Sequence, residues 1–166
     1  MTRYFWILGL LLTFSSNGFA QRWTTDVYAA LKQAQAQDKG ILINFTGSDW
    51  CGWCIKLKSE VFDQPDFQKF AASNLILVEV DFPRKKALPA ELKAANKKLA
   101  ENYKITGYPT ILLLDKYGRI RKKSGYKAGG PQNYINFLTE APDINWRNKG
   151  GTTPAQPNKP ETTPKP

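Results

Sequence analysis

The 166-residue chain contains no histidine, only two cysteines and a single methionine. Without histidine, neither a Ser/His/Asp nor a Cys/His catalytic arrangement can be built, and two cysteines alone cannot supply the four ligands of a structural zinc. A metal site would need carboxylates or a second chain, and none is expected. Negative charge is also scarce: 14 Asp+Glu stand against 24 Lys+Arg, a formal net charge of +10. No apolar run reaches the ~20 residues of a membrane-spanning helix. With 42% hydrophobic and 23% charged residues, the composition excludes a multi-span membrane protein and a fully disordered chain. One domain with a core is expected.

Both ends differ from the middle. Met1–Arg3 carries one positive side chain, Tyr4–Phe14 is an eleven-residue, largely apolar run, and Ser15–Ala20 closes on small residues around Phe19. This is the pattern of a secretory signal peptide over residues 1–20, and it implies a periplasmic or secreted protein. No cysteine follows the run, so lipid attachment is not expected. From Asp143 onward the chain is Asn, Lys, Gly, Thr and Gln with Pro154, Pro157, Pro160, Pro164 and Pro166. Such a segment cannot bury enough surface to offset chain ordering, so residues 143–166 read as a solvated, disordered tail. The domain is then 21–142, expected to be a monomer.

Within it, Asp26 precedes Val27, Ala30, Leu31 and Ala34 at helical spacing, and Ile41–Phe45 is a short apolar strand running into the turn Thr46–Asp49. Cys51, Cys54, Leu57, Lys58, Val61 and Phe62 again have helix period, so the cysteines open a helix. Pro65 starts another helical stretch through Phe67, Phe70 and Ala71 before a strand at Leu75–Val80. A helix from Pro89 to about Tyr103, a strand at Thr110–Leu114, an antiparallel return over Arg119–Ser124, and a last helix after Gly129–Pro131 complete the order. Trp23 is a candidate for one more edge strand. Strands separated by helices favour parallel pairing with helices on both faces. The expected fold is an α/β three-layer sandwich whose mixed sheet has a parallel centre and an antiparallel hairpin edge.

Cys51-Gly52-Trp53-Cys54 is the sharpest signal. Three residues apart on a first helical turn, the sulfurs can reach bonding distance, and free amides and the helix dipole favour a thiolate at Cys51. Cys54, one turn further in, is expected to be more buried and protonated. As a staple the pair is weak: closing a four-residue loop contributes only about 2 kcal/mol, against about 4.7 for 100 residues. A redox role fits better than a structural one.

The chain resembles the thioredoxin family over most of residues 23–140. Four features carry the likeness: Ile41-Leu42-Ile43-Asn44-Phe45 before the motif, Trp50-Cys51-Gly52-Trp53-Cys54 itself, Leu75–Asp81 as the next strand, and Tyr103-Lys104-Ile105-Thr106-Gly107-Tyr108-Pro109-Thr110 further on. The lead-in Thr46-Gly47-Ser48-Asp49 is similar to that of secreted thioredoxin-like proteins. The resemblance implies a thiol–disulfide oxidoreductase, reductase or isomerase-like, with Cys51 and Cys54 catalytic and no bound cofactor. It also implies a cis bond before Pro109, with the backbone of Tyr108 available to an extended substrate. Trp50 would pack beside the reactive sulfur, Gly52 would permit close approach of a partner, and Trp53 would give an apolar contact. The implied partners are disulfide-containing exported proteins and an electron donor or acceptor, with no nucleic acid.

Two departures from the family pattern stand out. Asn44 occupies the strand position where many members carry a buried acid, so either water or another group such as Glu79 or Asp81 takes the proton of Cys54, or exchange is slower at neutral pH. Trp53 replaces the proline or histidine that better-known relatives carry between the cysteines. The basic loop Arg84-Lys85-Lys86 follows a strand's carboxyl end, the side on which ligands sit in open α/β sheets, and could steer acidic substrates or be simply solvated. Arg119, Arg121, Lys122 and Lys123 read as protection of an edge strand, and Lys97 and Lys98 as the wet face of their helix. The rival functional class is a non-catalytic binding or chaperone module of the envelope, which would show no turnover of disulfides.

Overall fold

A computed structural model describes residues 22–140. The segments expected to be a leader and a tail lie outside the described residues. Four strands, β1 Gly40–Thr46, β2 Leu75–Asp81, β3 Thr110–Leu114 and β4 Ile120–Ser124, form one sheet in the order β2-β1-β3-β4. Five helices surround it: α1 Val27–Gln37, α2 Gly52–Leu57, α3 Pro65–Asn74, α4 Ala90–Asn102 and α5 Gly130–Thr139, with α2 continuing into a π-helical turn at Lys58–Phe62.

The alternation of side chains along the strands splits the core in two. Ile41, Ile43 and Phe45 of β1 join Ile76, Val78 and Val80 of β2 against Val27, Ala30 and Ala34 of α1 and Leu99 of α4. On the other face Leu42, Leu75, Leu77, Ile111 and Leu113 meet Leu57, Val61 and Phe62, Phe67 and Ala71 of α3, and Tyr134 and Leu138 of α5. Every residue of β1 is buried, as expected for a central strand covered on both faces. The layers are therefore helix, sheet, helix.

Pairing directions need one refinement. β1 and β2 are parallel, Gly40 opposite Leu75 through Thr46 opposite Asp81, but β1 and β3 are antiparallel, Phe45 opposite Thr110 through Ile41 opposite Leu114. The stretch 82–109 is long enough to cross the sheet, yet it returns the chain to the end it left. β3 therefore starts beside the carboxyl ends of β1 and β2, and this places Pro109 at the same end as Cys51.

Both edges of the sheet are guarded. On the β2 side Thr24, the neighbour of Trp23, makes an isolated parallel bridge to Val78, with Thr24 N–H donating to Leu77 O at 2.9 Å. Trp23 itself packs on Phe62, ring centres 5.2 Å apart. On the β4 side Lys122 reaches over the Phe137 ring, 4.0 Å from its centre, and Lys123 Nζ reaches Lys104 O at 3.3 Å. Arg119 does a different job from the edge role expected of it. Its Nε donates at 2.6 Å to the carboxylate of Asp115, which is wholly buried and also accepts the N–H groups of Tyr117 and Arg119. The pair closes the β3–β4 turn.

Candidate active site

Cys51 is the N-cap of α2 in extended conformation, and Cys54 N–H donates to Cys51 Sγ at 3.2 Å. The two sulfurs are joined in a disulfide, so the structure is the oxidised form. Both residues are buried, Cys51 at 7% exposure and Cys54 at 4%. The expected order of accessibility holds only narrowly. Gly52 lies in the open: a Cβ placed there meets nothing within 4 Å.

Trp53 is 58% exposed and leans on Tyr126, ring centres 5.0 Å apart. Lys56 Nζ lies 5.4 Å from both rings, and Tyr126 Oη donates to Glu60 at 2.7 Å. The Tyr126 hydrogen bond and the nearby Glu60 carboxylate hold Lys56 above its ordinary pKa. Tyr126 and Glu60 thus fix Trp53 in place on one side of the cysteines.

Trp50 forms the other side. Its Nε1 donates to Phe82 O at 2.7 Å, its ring meets Tyr108 edge-on with centres 5.9 Å apart, and Tyr108 packs on Phe82 at 5.2 Å. The Tyr108–Pro109 peptide is cis, as the family resemblance implies, and Tyr108 precedes the sheet ladder, which begins at Thr110. Burial pushes the Tyr108 phenol above its usual pKa. A Cβ on Gly125 would come within 3.0 Å of Pro109 O, so glycine suits the chain after β4 where it passes this close to the cis bond.

Beneath the site, Asn44 is buried, and its Oδ1 has no hydrogen-bond partner among the described residues. Glu79 lies directly opposite Asn44 in the parallel register, on the same face of the sheet as Leu42 and Leu77, which is the face that α2 covers. Burial first, and then the charge of Asp81, raise the pKa of the half-buried Glu79 carboxyl. Asp81 is already engaged, accepting Ser48 N–H at 2.9 Å and Ser48 Oγ–H at 2.5 Å. Of the two acids named from sequence, Glu79 is the one without such partners among the described residues.

Sequence reasoning passed over three residues that build the site. Asp49, read only as a turn residue, accepts the N–H groups of Arg84, Lys85 and Lys86 at 2.9, 2.7 and 3.0 Å. Tyr126 and Phe82 supply the aromatic neighbours of Trp53 and Tyr108. Nothing local marks any of them, because each partner is more than 25 residues away in the chain.

Residues 27–140 match the model of the thioredoxin-like domain family, and the chain belongs to that family. Fold and cysteine pair together define a thiol–disulfide oxidoreductase. The chain is 38% identical over 112 residues to the disulfide bond reductase DsbH of Chlamydia pneumoniae, covering 68% of each chain. Among solved structures it is similar to a DsbH oxidoreductase, with a TM-score of 0.69 and 35% identity over 80% of this chain and 92% of that one. A thioredoxin from Thermus thermophilus, at 19% identity and a TM-score of 0.53 over 72% of this chain and 85% of that one, shares the fold.

Proposed function

We propose that this chain is an exported, monomeric reductase of protein disulfides. The observation that carries the reading is the cysteine pair at the start of α2, with an N–H directed at Cys51 Sγ and cis-Pro109 at the same end of the sheet. The likeness to the DsbH reductase supports the direction of electron flow. The apolar run at Tyr4–Phe14 supports export, and no helix among the described residues is long and apolar enough to cross a membrane.

In the reduced protein the Cys51 thiolate, stabilised by the Cys54 amide, attacks one sulfur of a substrate disulfide. A Cys51–substrate disulfide forms and the other substrate sulfur leaves as a thiolate. Cys54 gives up its proton and attacks Cys51 Sγ, closing the Cys51–Cys54 bond and releasing the second substrate thiol. Two electrons have passed to the substrate, and an external dithiol donor restores the pair. Glu79 takes the Cys54 proton, since the amide of Asn44 cannot and Asp81 is held by Ser48. The aromatic rim of Trp50, Trp53 and Tyr108 supplies apolar contact to the substrate, and the Tyr108 backbone pairs with its extended segment.

Insulin reduction driven by dithiothreitol tests the reading. Turnover is expected for the intact protein and not for Cys51→Ser or Cys54→Ser, and the Cys54→Ser variant should accumulate a mixed disulfide with exported proteins. Equal rates for all three proteins would refute it and favour a binding module.

A further inference from the structure

The loop between β2 and α4 is built onto the residues that lead into Cys51. The Asp49 carboxylate accepts three successive loop N–H groups, and the Arg84 guanidinium lies 3.8 Å from the centre of the Trp50 ring. Those contacts use the backbone of the loop and one flat face of Arg84. They leave the Lys85 and Lys86 side chains exposed to water. Lys93 of α4 joins Arg84, Lys85 and Lys86 around an open pocket of about 450 Å³, which Phe82 also lines. None of these four cations is in an ion pair among the described residues. Of the neighbouring acids, Asp49, held by the loop amides, offsets part of this charge, while Asp81 is buried and bonded to Ser48 and Glu79 lies half-buried on the sheet. Glu91, in the first turn of α4, is exposed.

The pocket also includes a buried amide in its lining. Asn96 lines it, gives its Nδ2 to Asp81 O at 2.8 Å, and keeps a buried Oδ1 with no partner among the described residues. Phe82 is the hinge between this pocket and the redox centre, since Tyr108 packs against it. A peptide lying along Tyr108 therefore passes from the cysteines onto the cationic loop within a few residues.

We propose that the Arg84–Lys86 loop with Lys93 is a specificity site that selects substrate disulfides flanked by acidic residues. The inference rests on the reductase reading and adds the substrate class. Carboxylates of the client meet three or four unpaired cations. Attraction of this kind raises encounter rates at low salt and is screened as salt rises.

The test uses three peptides with the same intramolecular disulfide and flanks that are acidic, neutral or basic, reduced by the dithiothreitol-driven protein. At low ionic strength kcat/KM is expected to be roughly tenfold higher for the acidic than for the neutral peptide, with the basic one below both. The ratio should fall toward one in 0.5 M salt and in the Lys85→Ser/Lys86→Ser variant, which keeps the backbone bonds to Asp49. A charge-matched control, Lys69→Ser/Lys98→Ser, alters exposed lysines of α3 and α4 away from the pocket and should retain the preference. Equal kcat/KM for the three peptides, or a preference lost equally in both variants, would overturn the specificity site and leave the reductase reading standing. No turnover of any peptide would overturn both.

Discussion

Gly47 lies under the Trp50 ring: a Cβ built on it would sit 2.5 Å from Nε1 and 2.7 Å from Cζ2, and closer still to Cε2. Trp50 cannot swing aside freely, being held by Phe82 O, the Arg84 guanidinium and Tyr108. Gly47→Ala must therefore push the indole out. Overpacking of this kind costs about 1–3 kcal/mol, and loss of the Nε1–Phe82 bond adds about 0.5–1.5. Against this, alanine lowers the entropy of the unfolded chain and contributes about 0.4–1 kcal/mol of stability where the backbone tolerates it, as it does here because Gly47 is not among the residues with positive φ. The steric term wins, and thermal denaturation of the oxidised protein should show a Tm lower by on the order of 10 °C. A double-mutant cycle with Trp50→Ala isolates the cause. With the indole gone, Gly47→Ala should be neutral or slightly stabilising; an equal cost in both backgrounds would refute the steric account.

Replacing Glu79 by Gln should change both stability and thiol chemistry. Its folded pKa is raised by burial and by Asp81, so ionisation in the folded state costs stability, and wild type loses stability as pH climbs from the ordinary glutamate range through the raised value. Glu79→Gln should therefore gain on wild type across that window and hold a constant advantage above it, as read by urea denaturation at stepped pH. In the reduced protein the same variant should slow alkylation of Cys54 near neutral pH while leaving Cys51 largely unchanged. Asp115→Ala removes the partner of Arg119, whose side chain is only 14% exposed, and should cost about 3–5 kcal/mol in chemical denaturation.

What the sequence disclosed was mostly local. Helical spacing in Val27–Ala34 and Cys51–Phe62 and the apolar runs at Ile41 and Leu75 reflect the period of a single element packing on a core, and the periods survive in the structure. The Cys51–Cys54 motif was legible from its spacing, and the cis bond before Pro109 through the family likeness. The antiparallel direction of β3 was not, because a connection of the length of 82–109 suits either outcome. Which acid faces Asn44 also depended on strand register, and a shift of one residue would have exchanged the faces of Glu79 and Val80. Asp49 and Tyr126 act through partners brought close only by the tertiary fold.

The guarded margins of the sheet matter for a protein that handles other polypeptides. A client whose disulfides are still being sorted arrives partly unfolded, and an open ladder of N–H and C=O groups would hold such a chain whether or not it carried a disulfide. Lysines along β4 and the Thr24 bridge beside β2 make lateral sticking unfavourable. On the proposed reading, capture falls to the stretch before Pro109, where an incoming strand lies next to sulfur.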